Sequence, residues 1–206
     1  MSAFLGPIHY WLYNKISIED RLVDDILKLN EVKGFVPGLA EEADRECGVI
    51  EKRPLEDIID TGNIHGWLQE RVTIVEDRLA YVVTAIVKDD ASRMEDILAV
   101  AYETGKEVAA ENAVEDMKTA PDVFQLINNI VLDGMPCDRI NEMVSSSEDE
   151  VVYCQTRCIH ESHWLRFGGL VMNYYDIRRE LLKGVLETTP FTLTVAETGE
   201  SVIRRK

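Results

Sequence analysis

The positions His65, Leu68, Val72, Val75, Leu79, Val82 and Ile86 follow one another in unbroken steps of three and four. Only a helix puts residues so spaced on one face, so 65–86 is predicted as one continuous helix with a heptad-like seam. Charged residues such as Glu70, Arg71, Glu76 and Asp77 fall off that seam. A helix of this kind needs a partner for its apolar stripe, either inside the same chain or in a second copy.

Other helices are marked on both sides of it. Pro7 suits a first helical position, with Ile8, Leu12 and Ile16 on one face. Ser17-Ile18-Glu19-Asp20 has a capping-box pattern and predicts a fresh helix from about Ile18 to Asn30. A short helix is expected from Leu39 to Cys47, stopped by Gly48. Ser92 with Glu95 predicts the cap of a helix whose narrow face is Met94, Ile97, Ala101, Gly105 and Val108. Small residues there let a neighbouring helix come close, so this one is expected to be central. Pro121 opens another helix, ended by Gly134 and Pro136.

The period then changes. Segments 139–145 and 150–157 alternate around Ser146-Ser147-Glu148-Asp149, and 191–195 and 201–204 alternate around Glu197-Thr198-Gly199-Glu200. Between the two hairpins lies an amphipathic stretch, Glu161 to Glu187, expected to be one long helix. The fold class is therefore α+β, mostly α, in a single domain of residues 1–206. A helical lobe (1–135) precedes a β-β-α-β-β lobe (136–206) whose antiparallel sheet is covered on one face by its helix.

Composition narrows the function. The 206 residues include 22 Lys and Arg against 38 Asp and Glu, a formal charge of -16. A field of that sign repels phosphate backbones and anionic lipid surfaces, which argues against nucleic-acid and membrane partners. The chain opens without a basic and apolar leader, and no apolar run approaches the ~20 residues of a membrane span. Four scattered cysteines, Cys47, Cys137, Cys154 and Cys158, read as reduced thiols in a cytoplasmic protein. No Gly-x-Ser-x-Gly, Gly-x-Gly-x-x-Gly, P-loop or Glu-x-x-His pattern occurs.

Chemistry concentrates in residues 151–164, which hold Cys154, Cys158, His160 and His163. Thiolate and imidazole are ligands for zinc or iron, so a transition-metal site is a candidate. A straight strand would separate Cys154 and Cys158 by ~13 Å, so the chain would have to turn near Cys158 for them to share an ion. Cys154, Cys158 and at least one of the histidines are then expected to face a common cavity. His9 and Trp11, in an aromatic first helix, are candidate walls of a ligand pocket.

One further pattern is Tyr153-Cys154-Gln155-Thr156-Arg157. Helices followed by β-β-α-β-β, with Tyr and Arg at this spacing, resemble the heme nitric-oxide-binding domains and the related 4-vinyl-reductase-type ligand-binding domains. The heme family carries Tyr-x-Ser-x-Arg leading out of the sheet, where it meets the heme propionates; here Gln155 stands where Ser is expected. The resemblance implies a small-molecule sensor or accessory module with a cavity between lobes, and Tyr153 and Arg157 as ligand-binding residues. Heme itself is doubtful, because Pro121 to Asp133 has no histidine where that family ligates iron, and Cys137 lies in a loop.

The leading expectation is thus a small-molecule- or metal-binding protein with its site between helical and sheet lobes. A cysteine-dependent hydrolase, with Cys154 or Cys158 as nucleophile and His160 as base, is the alternative. A non-catalytic interaction protein, forming a homodimer through its helical seam, is the third.

Overall fold

The computed structural model describes residues 5–112, 114, 117–196 and 199–206. Glu197 and Thr198 of the expected second turn lie outside the described residues.

Helix α1 (Pro7–Lys33) starts at the expected proline and ends at Gly34, whose φ of 66° is the left-handed conformation that closes a helix. It runs straight through the expected break at Ile18. The Ser17 hydroxyl donates back to the Tyr13 carbonyl, 2.9 Å away, instead of capping a new start. The short helices α2 (Leu39–Cys47) and α3 (Leu55–Ile58) follow. Helix α4 (Ile64–Val87) is the predicted seam helix, capped by the Asn63 side chain. Leu68, Val72, Val75, Leu79, Val82 and Ile86 are all buried within this one chain. His65 is exposed, and the buried start of the helix is Ile64.

Asp90, rather than Ser92, closes the next turn, accepting from the Ser92 backbone and hydroxyl. A 3-10 turn, Ala91–Arg93, then leads into α5 (Met94–Glu111). The small face of α5 packs against α8 (Val171–Val185), as its glycine foreshadows. Helix α6 (Ala120–Ile130) opens with a Thr119–Asp122 capping box and ends where Val131 turns to extended backbone.

Strands β1 (Asn141–Ser146), β2 (Glu150–Gln155), β3 (Phe191–Val195) and β4 (Ser201–Arg205) form one antiparallel sheet in the order β1-β2-β4-β3. The central pair is set by Val151 opposite Ile203 and Tyr153 opposite Ser201. The register of β1 shifts between Met143 and Ser145, a bulge of the kind that blunts an edge strand. The expected long helix 161–187 is two pieces, α7 (Glu161–Arg166) and α8. Gly168, at φ 72°, makes the corner between them.

Helices α6 and α8 cover one face of the sheet. Val151, Tyr153 and Ile203 point into it, and Phe124 of α6 meets the Tyr153 ring at 5.0 Å between centroids. A single buried cluster joins Val23 of α1, Leu79 of α4 and Leu182 of α8 to Val151 and Tyr153 of β2. The hydrophobic core therefore crosses the boundary between the helical and sheet lobes. Among the described residues, no helix is long and apolar enough to cross a membrane.

Candidate functional site

Side chains of a strand alternate between faces, so Val151, Tyr153 and Gln155 of β2 look toward the helices while Val152 and Cys154 look away. On α8, Met172, Tyr175, Arg178, Arg179 and Leu182 recur at helical spacing and look back toward the sheet. Between these two rows is a cavity of about 380 Å³. Leu193, Val195, Gly199 and Ser201 of the second hairpin complete its sheet side, and Arg157 and Cys158 stand where β2 runs out.

Three guanidinium groups line this cavity in a chain of net charge -16. Each has a carboxylate behind it. Arg157 donates to Asp138 at 2.9 Å, Arg179 pairs with Asp176, and Arg178 grips Asp133 with two bonds of 2.5 and 3.2 Å. The first two pairs are largely solvated, whereas Arg178 and Asp133 are buried.

Asp133, in the connection from α6 to β1, is the hub beneath the cavity. It also accepts from Gln155 at 3.1 Å and from Asn141 at 2.8 Å. Burial alone would raise its pKa, but the Arg178 charge and the surrounding donors outweigh that and hold it well below the usual carboxylate range. Behind Asp133 lies His160, fully buried and stacked on the Tyr174 ring at 3.7 Å. Its Nδ1 donates to Glu76 at 2.8 and 3.0 Å, while its Nε2 stands 3.8 Å from Asp133 with no hydrogen-bond partner. Burial disfavours the imidazolium, yet the Glu76 charge and Asp133 prevail and push the His160 pKa up to about 9. Glu19 of α1 shares this interior. Burial, then the Glu76 charge, push its carboxyl well above the ordinary range.

The expected ligand residues are distributed differently from the sequence pattern. Tyr153 and Arg157 both line the cavity, with Gln155 between them. Of the four expected metal ligands, Cys158 alone lines it. Cys154 sits on the opposite face of the sheet, across from Glu142. His160 and His163 each turn to a carboxylate of α4, Glu76 and Asp77 respectively. The common cavity expected for Cys154, Cys158 and a histidine is thus not formed, because strand alternation and two ion pairs separate them. Among the described residues, no group of three or more His, Cys, Asp or Glu is arranged to hold a metal ion.

The expected hydrolytic pair is also not assembled. His160 bonds Glu76 through Nδ1 and turns Nε2 toward Asp133, and neither thiol is among its partners. His9 and Trp11 lie away from the cavity. His9 accepts from the Gly6 backbone at 2.9 Å and meets the His65 ring edge-on. Trp11 donates to Asn129 at 2.9 Å and carries the Lys15 ammonium over its ring.

Sequence reasoning passed over Asp133, Arg178, Glu76 and Glu19. Glu76 and Asp77 fall off the seam and read as solvated charges, but both are only 2% exposed. The signal was in the following turn, where Leu79, Ala80, Val82 and Val83 leave no polar face: a helix apolar all round is surrounded. Compared with known protein families, curated proteins and solved structures, the chain matches none.

Proposed function

We propose that this chain is a small-molecule-binding module, a sensor or accessory protein, whose ligand lies between α8 and the sheet and carries an anionic group on an apolar body. The observation that carries this is the convergence of Arg157, Arg178 and Arg179 on one concave site of an otherwise acidic chain. Met172, Leu182, Leu193 and Val195 give the site an apolar wall, the usual composition of an organic-ligand pocket. The solvated Arg157–Asp138 pair is worth about 0–1 kcal/mol, so a ligand carboxylate can replace Asp138 at little cost. The Tyr153, Gln155 and Arg157 spacing, similar to the propionate-binding motif of heme nitric-oxide-binding domains, points to the same strand end.

Calorimetric titration with 1-naphthoate and with its neutral counterpart, 1-naphthalenemethanol, tests this. The carboxylate should bind and the alcohol bind about tenfold or more weakly, with Arg157→Ala removing most of the difference. Binding of neither would overturn the cavity as a ligand site. Equal binding of both would leave the site and remove the anionic class.

A further inference from the structure

We propose that occupation of the cavity is coupled to proton binding in the protein interior through Asp133, which the cavity side chains Arg178 and Gln155 share with the buried His160. The inference rests on the binding role proposed above and adds its regulation.

The geometry gives Asp133 two sides. Toward the cavity it is held by Arg178 and Gln155, both of which line the ligand space. Away from the cavity it faces His160 Nε2 at 3.8 Å, too long for a hydrogen bond. That nitrogen is buried and has no hydrogen-bond partner, a costly state for a polar atom. An anion that draws the Arg178 guanidinium toward the cavity takes donors away from Asp133. Asn141 stays bonded to Asp133, and the donor within reach that can replace Arg178 is the Nε2–H of protonated His160. A move of about 0.6–1 Å to Asp133 satisfies both groups. Anion binding thus favours the imidazolium, and the proton comes from solvent.

Other charges face the same interior. Lys15 and Glu19 reach it from α1, Glu76 from α4, and Tyr174 and Arg178 from α8. Glu19, held well above the ordinary carboxyl range by burial and the Glu76 charge, is one rival titrating group. Lys15, whose pKa burial lowers to about 8, is the other.

The test is calorimetry of 1-naphthoate binding from pH 6.5 to 10 in pairs of buffers that differ in ionisation enthalpy, which counts the protons taken up. Uptake should peak near pH 9, with affinity about threefold to tenfold weaker at pH 10 than at pH 7. His160→Gln should abolish the uptake while 1-naphthoate still binds. If His160→Gln does not fold, Lys15→Met and Glu19→Gln decide: uptake that survives in both supports the coupling, and uptake lost with either overturns it. Binding without proton uptake in the unsubstituted protein overturns the coupling alone. Absence of 1-naphthoate binding overturns the proposed binding role and the coupling with it.

Discussion

Gly105 of α5 and Gly184 of α8 face each other at the crossing of their helices. A Cβ on Gly105 would stand 2.1 Å from the Leu181 carbonyl oxygen, and one on Gly184 would stand 2.0 Å from that of Tyr102. Both obstacles are helix backbone, which cannot swing aside as a side chain does. Helix α8 also forms one wall of the cavity, so this crossing fixes that wall against α5.

Alanine at either position should therefore destabilise the protein although alanine is the better helix former by about 1 kcal/mol. Forced separation of packed helices costs about 3 kcal/mol at the upper end of overpacking, where contacts this close to backbone belong, so the net loss expected for Gly105→Ala or Gly184→Ala is about 2 kcal/mol. Urea denaturation of the two variants reads this directly. A gain in stability would show that the crossing is looser than described.

Much of this was legible in the chain and some was not, for reasons that differ by residue. The α4 seam and the α5 glycine face are local periodicities, and each keeps its meaning in the fold. Ser17 was misread because a capping pattern and a mid-helix hydroxyl that bonds back to Tyr13 look identical in sequence. Gly168 breaks the 161–187 helix at a single left-handed residue, which an amphipathic pattern over the whole stretch concealed. Strand alternation carries Tyr153 to the cavity, and Arg157 reaches it from the bend just past the end of β2. The same alternation sends Cys154 to the other face, so the metal set and the Tyr/Arg pair could not share a site. Asp133 and Arg178 are 45 positions apart, and no local pattern announces such a pair.

The stability of the protein should fall as pH rises from about 6.5 to 8. His160 has its folded pKa raised to about 9, above the ordinary 6.5. Its contribution is fully present below about 6.5 and is lost as pH rises through 9. Lys15, lowered to about 8 from 10.5, acts oppositely between those values, so the window below pH 8 is the cleaner one. The expected loss there is of the order of 1–2 kcal/mol. Denaturation curves at pH 6.5, 7.2 and 8 should show a slope that His160→Gln flattens; equal slopes in both proteins would rule out His160 as its source.

Asp20 gives a prediction of opposite use. Its carboxyl is buried in α1, and burial, then the neighbouring Asp24, raise its pKa to about 6 against the partial relief of Lys52 and Arg78. A carboxyl raised in this way costs stability once ionised, so the cost is absent below about pH 4 and complete above pH 6. Asp20→Asn should stabilise the protein at pH 7 by about 1–2 kcal/mol, with the advantage fading toward pH 4. A variant less stable than the parent at pH 7 would mean that Asp20 makes a favourable pair there.

The ion pair between Glu76 and His160 should be indispensable to the interior. Glu76→Ala leaves an imidazolium buried without its main partner, a defect worth about 3–5 kcal/mol. Thermal unfolding at pH 7 measures it, and a loss under 1 kcal/mol would show that the pair is not the anchor between α4 and the segment before α7.

The central claim is that a small anionic molecule occupies the space between α8 and the sheet, and filling that space tests it most directly. Ser201, small and half-buried on β4, lines the cavity opposite Tyr153. Ser201→Trp puts an indole where the ligand should lie, and its affinity for 1-naphthoate can be compared with that of the parent by calorimetry at matched stability. Occupation of the cavity predicts a loss of affinity of about a hundredfold, or no measurable binding, in a variant that remains folded. Unchanged affinity in folded Ser201→Trp protein would place the ligand elsewhere and contradict the claim.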